Sequence, residues 1–305
     1  MVTNSMKVKA IIAAIIGYTF FGLSFLFSKV ALECIAPFML LSLRFIVAFF
    51  ILNLFMLFGK NCRLHLKGKP LGKVLLLGIV HPLLYYTFEN YGISKTSSAF
   101  AGTLLAMAPV VTLIAGIFFM REIPTRTQVF GAIFSFCGVI VISLAQQDGG
   151  NYISGIILLS LAVCSSVFYN LLTKDTSVQF TVFERTYMMI GMGCIGFTFI
   201  SIIQEGNNWY AQAVSAISQT KVLTSLLYLG ACASVGSFFL LNFSFTHLSL
   251  GSASIFSNLV TVVSIIAGVV VLKESFTLLQ LIGSVVILIG VYISNRFPIK
   301  EATKE

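Results

Sequence analysis

The chain has 305 residues, 58% of them hydrophobic and only 10% charged, with a mean hydropathy of +1.00. A water-soluble domain of this length cannot cover so much apolar surface, because its outer layer must meet water; lipid is the solvent that fits. The formal charge of +9 is spread over short gaps between apolar runs, which excludes a nucleic-acid-binding face and matches the basic loops that orient membrane proteins.

A membrane-crossing helix needs about 20 apolar residues, and such runs follow one another along the chain. Met1–Lys9 leads straight into the first, Val8–Val30, without the small-residue cleavage site of a signal peptide. Ala36–Phe58, Lys73–Gly92, Thr96–Met120 and Arg126–Ala145 follow. After Asp148 come Tyr152–Thr173, Thr181–Ile203, Val222–Thr246, Leu250–Leu272 and Thr277–Ser294. The longest gap, Gln204–Lys221, carries the lone Trp209 beside Tyr210, a pair suited to the membrane interface. With the N-terminus inside and alternating helices, 13 basic residues fall inside and 4 outside, leaving out Arg44 and Arg185 within spans. That bias predicts a multi-pass protein of the cell (inner) membrane with both termini cytoplasmic.

A charge at the bilayer centre costs about 2.5–3.5 kcal/mol on insertion scales, so polar residues within the spans need a reason. His81, Tyr85 and Glu89 in the third span are spaced i, i+4, i+8 and share one helical face. Asn90 adjoins Glu89, and Pro82 beside His81 is placed to bend the helix and free a carbonyl. This face reads as cavity lining; the alternative is a set of inter-helix hydrogen bonds. Arg44 and Glu89 differ in depth by roughly 6 Å at about 1.5 Å rise per residue, which suggests an ion pair, structural or gating. In the second half, Tyr169, Asn170 and Asn242 lie towards the cytoplasmic ends of their spans and Asn258 at mid-depth, opposite Met107. All are candidate substrate contacts, with helix–helix hydrogen bonds as the alternative for Asn258.

The chain also repeats itself. Glu122 and Glu274 lie 152 positions apart, and the same offset aligns Asn90 with Asn242, Gly116 with Gly268, Thr125 with Thr277, Gln128 with Gln280, Gly131 with Gly283 and Gly138 with Gly290. Residues 1–147 and 148–305 therefore read as two related units. Each holds five helices, an odd number, so the second enters the membrane from the opposite side. The fold class expected is an all-α integral membrane protein of ten transmembrane helices in two inverted five-helix repeats, a recurring plan of secondary transporters. Glu122 and Glu274 close one helix just before the next begins at Thr125 or Thr277, and read as scaffold through helix-start electrostatics. The glycines seven apart in the fifth and tenth spans suggest close helix contact, within one chain or in a homodimer.

The run GTLLAMAPVVTLIAGIFFMREIPTRTQVFGAIFSFCGVIVI (Gly102–Ile142), with Pro109, Glu122, Gly131 and Gly138, resembles the signature of EamA-type members of the drug/metabolite transporter superfamily. FFGLSFLFSK (Phe20–Lys29), Pro37 and Arg44 fit its first two helices, although Phe21 stands where Trp is common and Thr261 replaces the second-half proline. The resemblance implies a ten-helix bundle whose central cavity is lined mainly by helices one, three, four, six, eight and nine. It also implies export of amino acids or other small metabolites.

The leading reading is a secondary transporter that exports small metabolites such as amino acids by alternating access. No Gly-x-x-x-x-Gly-Lys loop is present, so no intrinsic ATPase is expected. A membrane-embedded lipid-modifying enzyme is the rival, but two lone aspartates, Asp148 and Asp175, cannot supply the clustered carboxylates that Mg²⁺-diphosphate chemistry needs. Six dispersed cysteines and the scattered His65, His81 and His247 nominate no metal or cofactor site. A non-transporting accessory protein is the third reading. The expected partners are a small-molecule substrate and the lipid bilayer.

Overall fold

In the computed structural model, residues 4–58, 64–108, 110–111, 113–115, 125–144, 149–176, 178–247, 259–274 and 277–295 are described. Among them the regular structure is helical. Helix α1 is Asn4–Leu32, α2 Pro37–Phe58, α3 Leu71–Lys95 and α5 Arg126–Leu144; α4 begins as Ser98–Leu105. The second half comprises α6 (Gly149–Thr176), α7 (Val182–Glu205), a short α8 (Trp209–Ser218), α9 (residues 220–247), α10 (Leu259–Val271) and α11 (Leu278–Asn295). Six of these, α1, α2, α3, α6, α7 with α8, and α9, contain apolar runs long enough to cross a membrane, and α5, α10 and α11 are shorter apolar helices.

Bundle packing and outward faces both follow from composition. On α5, Phe130 and Ile133 stand 59% and 58% exposed, and Leu278 on α11 reaches 72%. Water would penalise such rows; hydrocarbon does not, because each helix satisfies its own backbone. Inward faces of the two halves pair with each other: α1 packs on the last part of α9 (Ser237–His247), α6 on the last part of α3 (Tyr85–Lys95), α2 on α7, and α5 on α11.

The α5–α11 contact uses the glycines singled out above. A Cβ at Gly138 would lie 2.6 Å from the carbonyl oxygen of Gly283, one at Gly283 2.8 Å from that of Gly138, and one at Gly290 2.6 Å from that of Gly131. Ser135 Oγ donates to the carbonyl of Ile287, its own counterpart 152 positions on. The contact face therefore runs backbone to backbone, with the helices antiparallel, and it is spent inside one chain. α4 and α10 also cross closely: Thr261 Oγ1 donates to the Gly102 carbonyl (2.9 Å). That bond gives the residue standing in for the second-half proline an inter-helix role.

Glu274 is a scaffold residue, but it serves a different helix from the one expected. Its carboxylate accepts from Ser98 N (2.8 Å), Ala99 N (3.2 Å) and Ser98 Oγ (3.1 Å), while Ser97 Oγ accepts from Phe100 N (3.1 Å). It thus caps α4 of the other half, where free N–H groups and the helix dipole favour an anion. Its neighbour Lys273 takes the left-handed backbone (φ 53°) at this turn. The helix that follows Glu274 is held instead by Thr277 and Gln280, whose backbone N–H groups donate to each other's side chains; Thr125 and Gln128 do the same for α5. Glu122 lies outside the described residues. Glu274→Ala should lower stability by about 2 kcal/mol, as loss of hydrogen bonds to a charged group does. Thermal unfolding in detergent checks this: an unchanged midpoint would refute the cap.

The Gln204–Lys221 gap is a helix rather than a loop. A 3₁₀ turn, Gly206–Asn208, leads into α8, whose Ala213 and Ala216 are buried against Ala31, Met39 and Val222. Trp209 turns inward, Nε1 donating to Ser201 Oγ (2.9 Å), and only Tyr210 faces out. On the opposite side of the bundle, Glu184 pairs with Lys69 (2.6 Å), accepts from His65 N (2.9 Å) and closes a capping box with Thr181. It ties the α2–α3 connection to the start of α7.

Candidate functional site

The site grows out of an interruption in α3. Pro82 has no N–H to donate, and His81 leaves the helical region altogether (φ −148°, ψ 108°), so residues Ile79–Leu84 form a wide π-type turn. α9 carries a wide turn of the same kind, Tyr228–Gly236, which includes the positions 152 beyond Ile79–Leu84. Such turns inside helices cluster at functional sites, because they free backbone groups and re-aim side chains.

Both interruptions border one cavity of about 140 Å³. α3 gives it His81 and Tyr85; α9 gives Ala233, Ser237, Phe238 and Leu241. Tyr18 and Phe21 of α1, Leu105 and Ala108 of α4, Ser166 and Tyr169 of α6 and Val260 of α10 complete the wall. These are the first, third, fourth, sixth, eighth and ninth spans of the sequence. Both halves contribute, and among the described residues no lining side chain carries a full charge.

The walls are aromatic. His81 lies between Tyr85 (ring centres 4.6 Å, 25° between planes) and Tyr169 (4.5 Å, 31°), with Phe238 edge-on at 5.3 Å. His81 Nδ1 is buried without a protein partner among the described residues. A ring Nδ1 in a cavity wall is available to a solute or to water, since a buried polar atom left unpaired is costly.

The sequence-predicted residues divide into groups. His81, Tyr85 and Tyr169 meet at the cavity. Glu89, one turn beyond Tyr85, is buried behind it: Tyr85 Oη donates to Glu89 Oε1 (2.9 Å), and Asn90 Nδ2 stands 3.5 Å from Oε2. Asn90 and Asn242 are not among the residues that line the cavity, although Asn242 hydrogen-bonds to Tyr169 of its wall. Each donates Nδ2 back to the carbonyl four residues earlier, Asn90 to Tyr86 (3.0 Å) and Asn242 to Phe238 (2.8 Å), the same bond at repeat-equivalent places. Met107 packs in the apolar core with Phe25, Phe100 and Val110. Asn170 lies in α6, but its side chain, like the whole of Asn258, is outside the described residues.

The Arg44–Glu89 ion pair is not formed. Arg44, fully buried, donates Nε to Ser234 Oγ (2.9 Å) and sets its guanidinium 4.2 Å from the Tyr86 ring centre, a cation–π contact. Its sequence counterpart Arg185 donates Nη1 to the Thr173 carbonyl (3.0 Å). Depth alone made the pair reachable; the neighbouring α9 turn, which offers Ser234, decided otherwise. Tyr18, Ser166, Ser237 and Phe238 do not stand out in the sequence, and Phe21 does so only as the residue standing where Trp is common in the resemblance. Serine and phenylalanine carry no signal in a membrane helix, but Ala233 and Ser237 lie 152 positions after His81 and Tyr85, and that offset is the clue the sequence holds.

A cavity lined by both halves of a lipid-embedded bundle fits a transporter, and comparison with known proteins agrees. A solved crystal structure has the same fold with a TM-score of 0.64 at 16% identity, over 95% of this chain and 96% of that one. "Uncharacterized transporter YcxC" of Bacillus subtilis is 32% identical over 94% of this chain and 92% of its own length. "Probable amino-acid metabolite efflux pump" of Salmonella typhimurium is 26% identical over 90% of each chain. "Probable terminal-alkyne amino-acid exporter" of Streptantibioticus cattleyicolor is 25% identical over 75% of each. These relatives carry the names of transporters, not of enzymes, so the lipid-modifying reading falls. The profile of one family, described as EamA-like transporter family, matches twice, at residues 8–144 and again at 153–296, and this multi-pass membrane protein belongs to that family.

Proposed function

We propose that the chain is a secondary transporter that exports small metabolites, amino acids among them, by alternating access. Ten transmembrane helices in two inverted units, residues 1–147 and 148–305, would move against each other around the aromatic cavity. Both termini face the cytoplasm, and the protein resides in the cell membrane. The observation that carries the reading is the cavity itself, walled by wide turns at repeat-equivalent positions of α3 and α9. The antiparallel α5–α11 contact supports the inversion, since Gly138 meets Gly283 while their counterparts Gly290 and Gly131 meet in turn. The twofold family match and the basic-residue bias support the two units and the orientation. The names of two relatives support amino-acid export.

Counterflow in proteoliposomes tests it. Vesicles loaded with an unlabelled mixture of amino acids should take up the same amino acids in labelled form faster than protein-free vesicles. Equal rates across amino acids and a wider metabolite pool would reject transport of these solutes. Cytoplasmic labelling of tags at both ends tests the topology.

A further inference from the structure

A cation lies uncompensated in the core beside the cavity. Arg44 is fully buried, and of its guanidinium nitrogens only Nε is engaged, by Ser234 Oγ (2.9 Å). Nη1 and Nη2 are buried without a hydrogen-bond partner among the described residues, where the ion pair present is Lys69–Glu184. The guanidinium stands 4.2 Å from the centre of the Tyr86 ring, and the hydroxyl of that buried ring is itself unpartnered. Arg185, the sequence counterpart in the second half, instead gives Nη1 to the Thr173 carbonyl (3.0 Å).

Such a group calls for an acceptor with negative charge. Arginine offers donors only and stays ionised, so water can satisfy its N–H groups but not its charge. A buried cation without a partner is strongly unfavourable, and the cation–π contact with Tyr86 recovers only part of what desolvation removes. Glu89 of α3 is coupled electrostatically to Arg44. Its carboxylate, however, faces Tyr85 Oη (2.9 Å) and Asn90 Nδ2 (3.5 Å) and forms no ion pair among the described residues.

We propose that Arg44, Tyr86 and Ser234 hold one small monovalent anion, a halide or a single carboxylate group, between α2, α3 and α9. Nη1 and Nη2 supply the charge and charge-assisted donors; Tyr86 Oη adds a third, and Ser234 Oγ, which accepts from Nε, keeps its own proton to donate. One guanidinium balances one negative charge, whereas a phosphate dianion would leave net charge in hydrocarbon. The two wide turns serve this site as well as the cavity. Ser234 belongs to the turn Tyr228–Gly236, and His81, in the turn Ile79–Leu84, packs edge-on against Tyr86 (5.1 Å, 63°). His81 lines the cavity and Arg44 does not, so the anion sits one ring behind the wall. Its source is either an inorganic ion resident there or the carboxylate of a solute that reaches past His81.

Chloride NMR of the purified protein in detergent tests this without any flux. The wild type should broaden the chloride line, and excess bromide should restore the narrow line by displacement. Arg44→Gln should abolish the broadening, while Arg185→Gln should leave it unchanged. Tyr86→Phe, which keeps the ring against the guanidinium, should weaken the affinity about ten-fold, as loss of one hydrogen bond to a charged group does. Glu89→Gln should tighten it, because a competing negative charge near Arg44 is gone. Adding the amino-acid mixture reads the source: displacement of chloride assigns the site to a solute carboxylate, and no displacement to a resident inorganic anion. Broadening that survives Arg44→Gln overturns the proposal. So does a wild type without broadening whose binding of labelled amino acids is indifferent to Arg44→Gln; loss of that binding in the variant assigns the site to the solute carboxylate alone. If Arg44→Gln does not fold, an affinity unchanged in both Tyr86→Phe and Glu89→Gln overturns it. Chloride binding with no amino-acid counterflow retains the anion site and rejects amino acids as the cargo, so the two readings fail separately.

Discussion

Gly283→Leu should leave no monodisperse folded protein. The position faces the Gly138 carbonyl oxygen at 2.8 Å from where even a methyl carbon would stand. A leucine side chain cannot be accommodated by a rotamer change there, because the obstacle is backbone. Overpacking a close-packed interior costs about 1–3 kcal/mol where side chains can yield, and the upper end is the least to expect where they cannot. Gly138→Leu, at 2.6 Å from the Gly283 carbonyl, should behave alike. Gly72→Leu is the control, since nothing lies within 4 Å of a Cβ there, and it should purify like the wild type. Size-exclusion chromatography and thermal unfolding in detergent read the outcome. A Gly283→Leu protein that melts with the wild type would show that α5 and α11 do not pack in this way.

Removing both aromatic walls on α3 should reduce solute exchange about ten-fold. His81 and Tyr85 present stacked rings to the cavity, and an aromatic pairing contributes about 0.5–1.5 kcal/mol beyond its buried area. Truncating both rings to methyl groups therefore removes about 1.4 kcal/mol, which corresponds to a factor of ten in rate. His81→Ala/Tyr85→Ala should accordingly show about one tenth of wild-type counterflow at low solute concentration. Tyr85→Phe, which keeps the ring, should retain most of the rate under the same conditions. Equal loss in both variants would place the effect in the hydroxyl rather than the wall. A double variant with wild-type exchange would move the binding site elsewhere.

What was legible from residues alone shows in α3 and α5. The apolar run lengths located six helices long enough to cross a membrane and three shorter apolar ones among the described residues, and the constant 152-residue offset found the glycine face before any packing was known. His81 and Tyr85 stood out because polar groups within a greasy helix are rare. Glu89 belonged to the same helical face but sits one turn too far along to enter the cavity. Periodicity gives the face of a helix; it does not give the depth at which a neighbouring half seals it.

Composition and span length determined that this chain is a membrane-embedded helical protein, since hydrocarbon tolerates little else than structures that satisfy their own backbone. Tertiary structure alone decided that Arg44 turns to Ser234, that Glu274 caps the helix of the other half, and that Leu241 meets the cavity while Glu89 does not. Those choices depend on which side chain of a distant segment arrives within hydrogen-bond reach, and a one-turn displacement of about 5.4 Å along a helix is enough to change each of them.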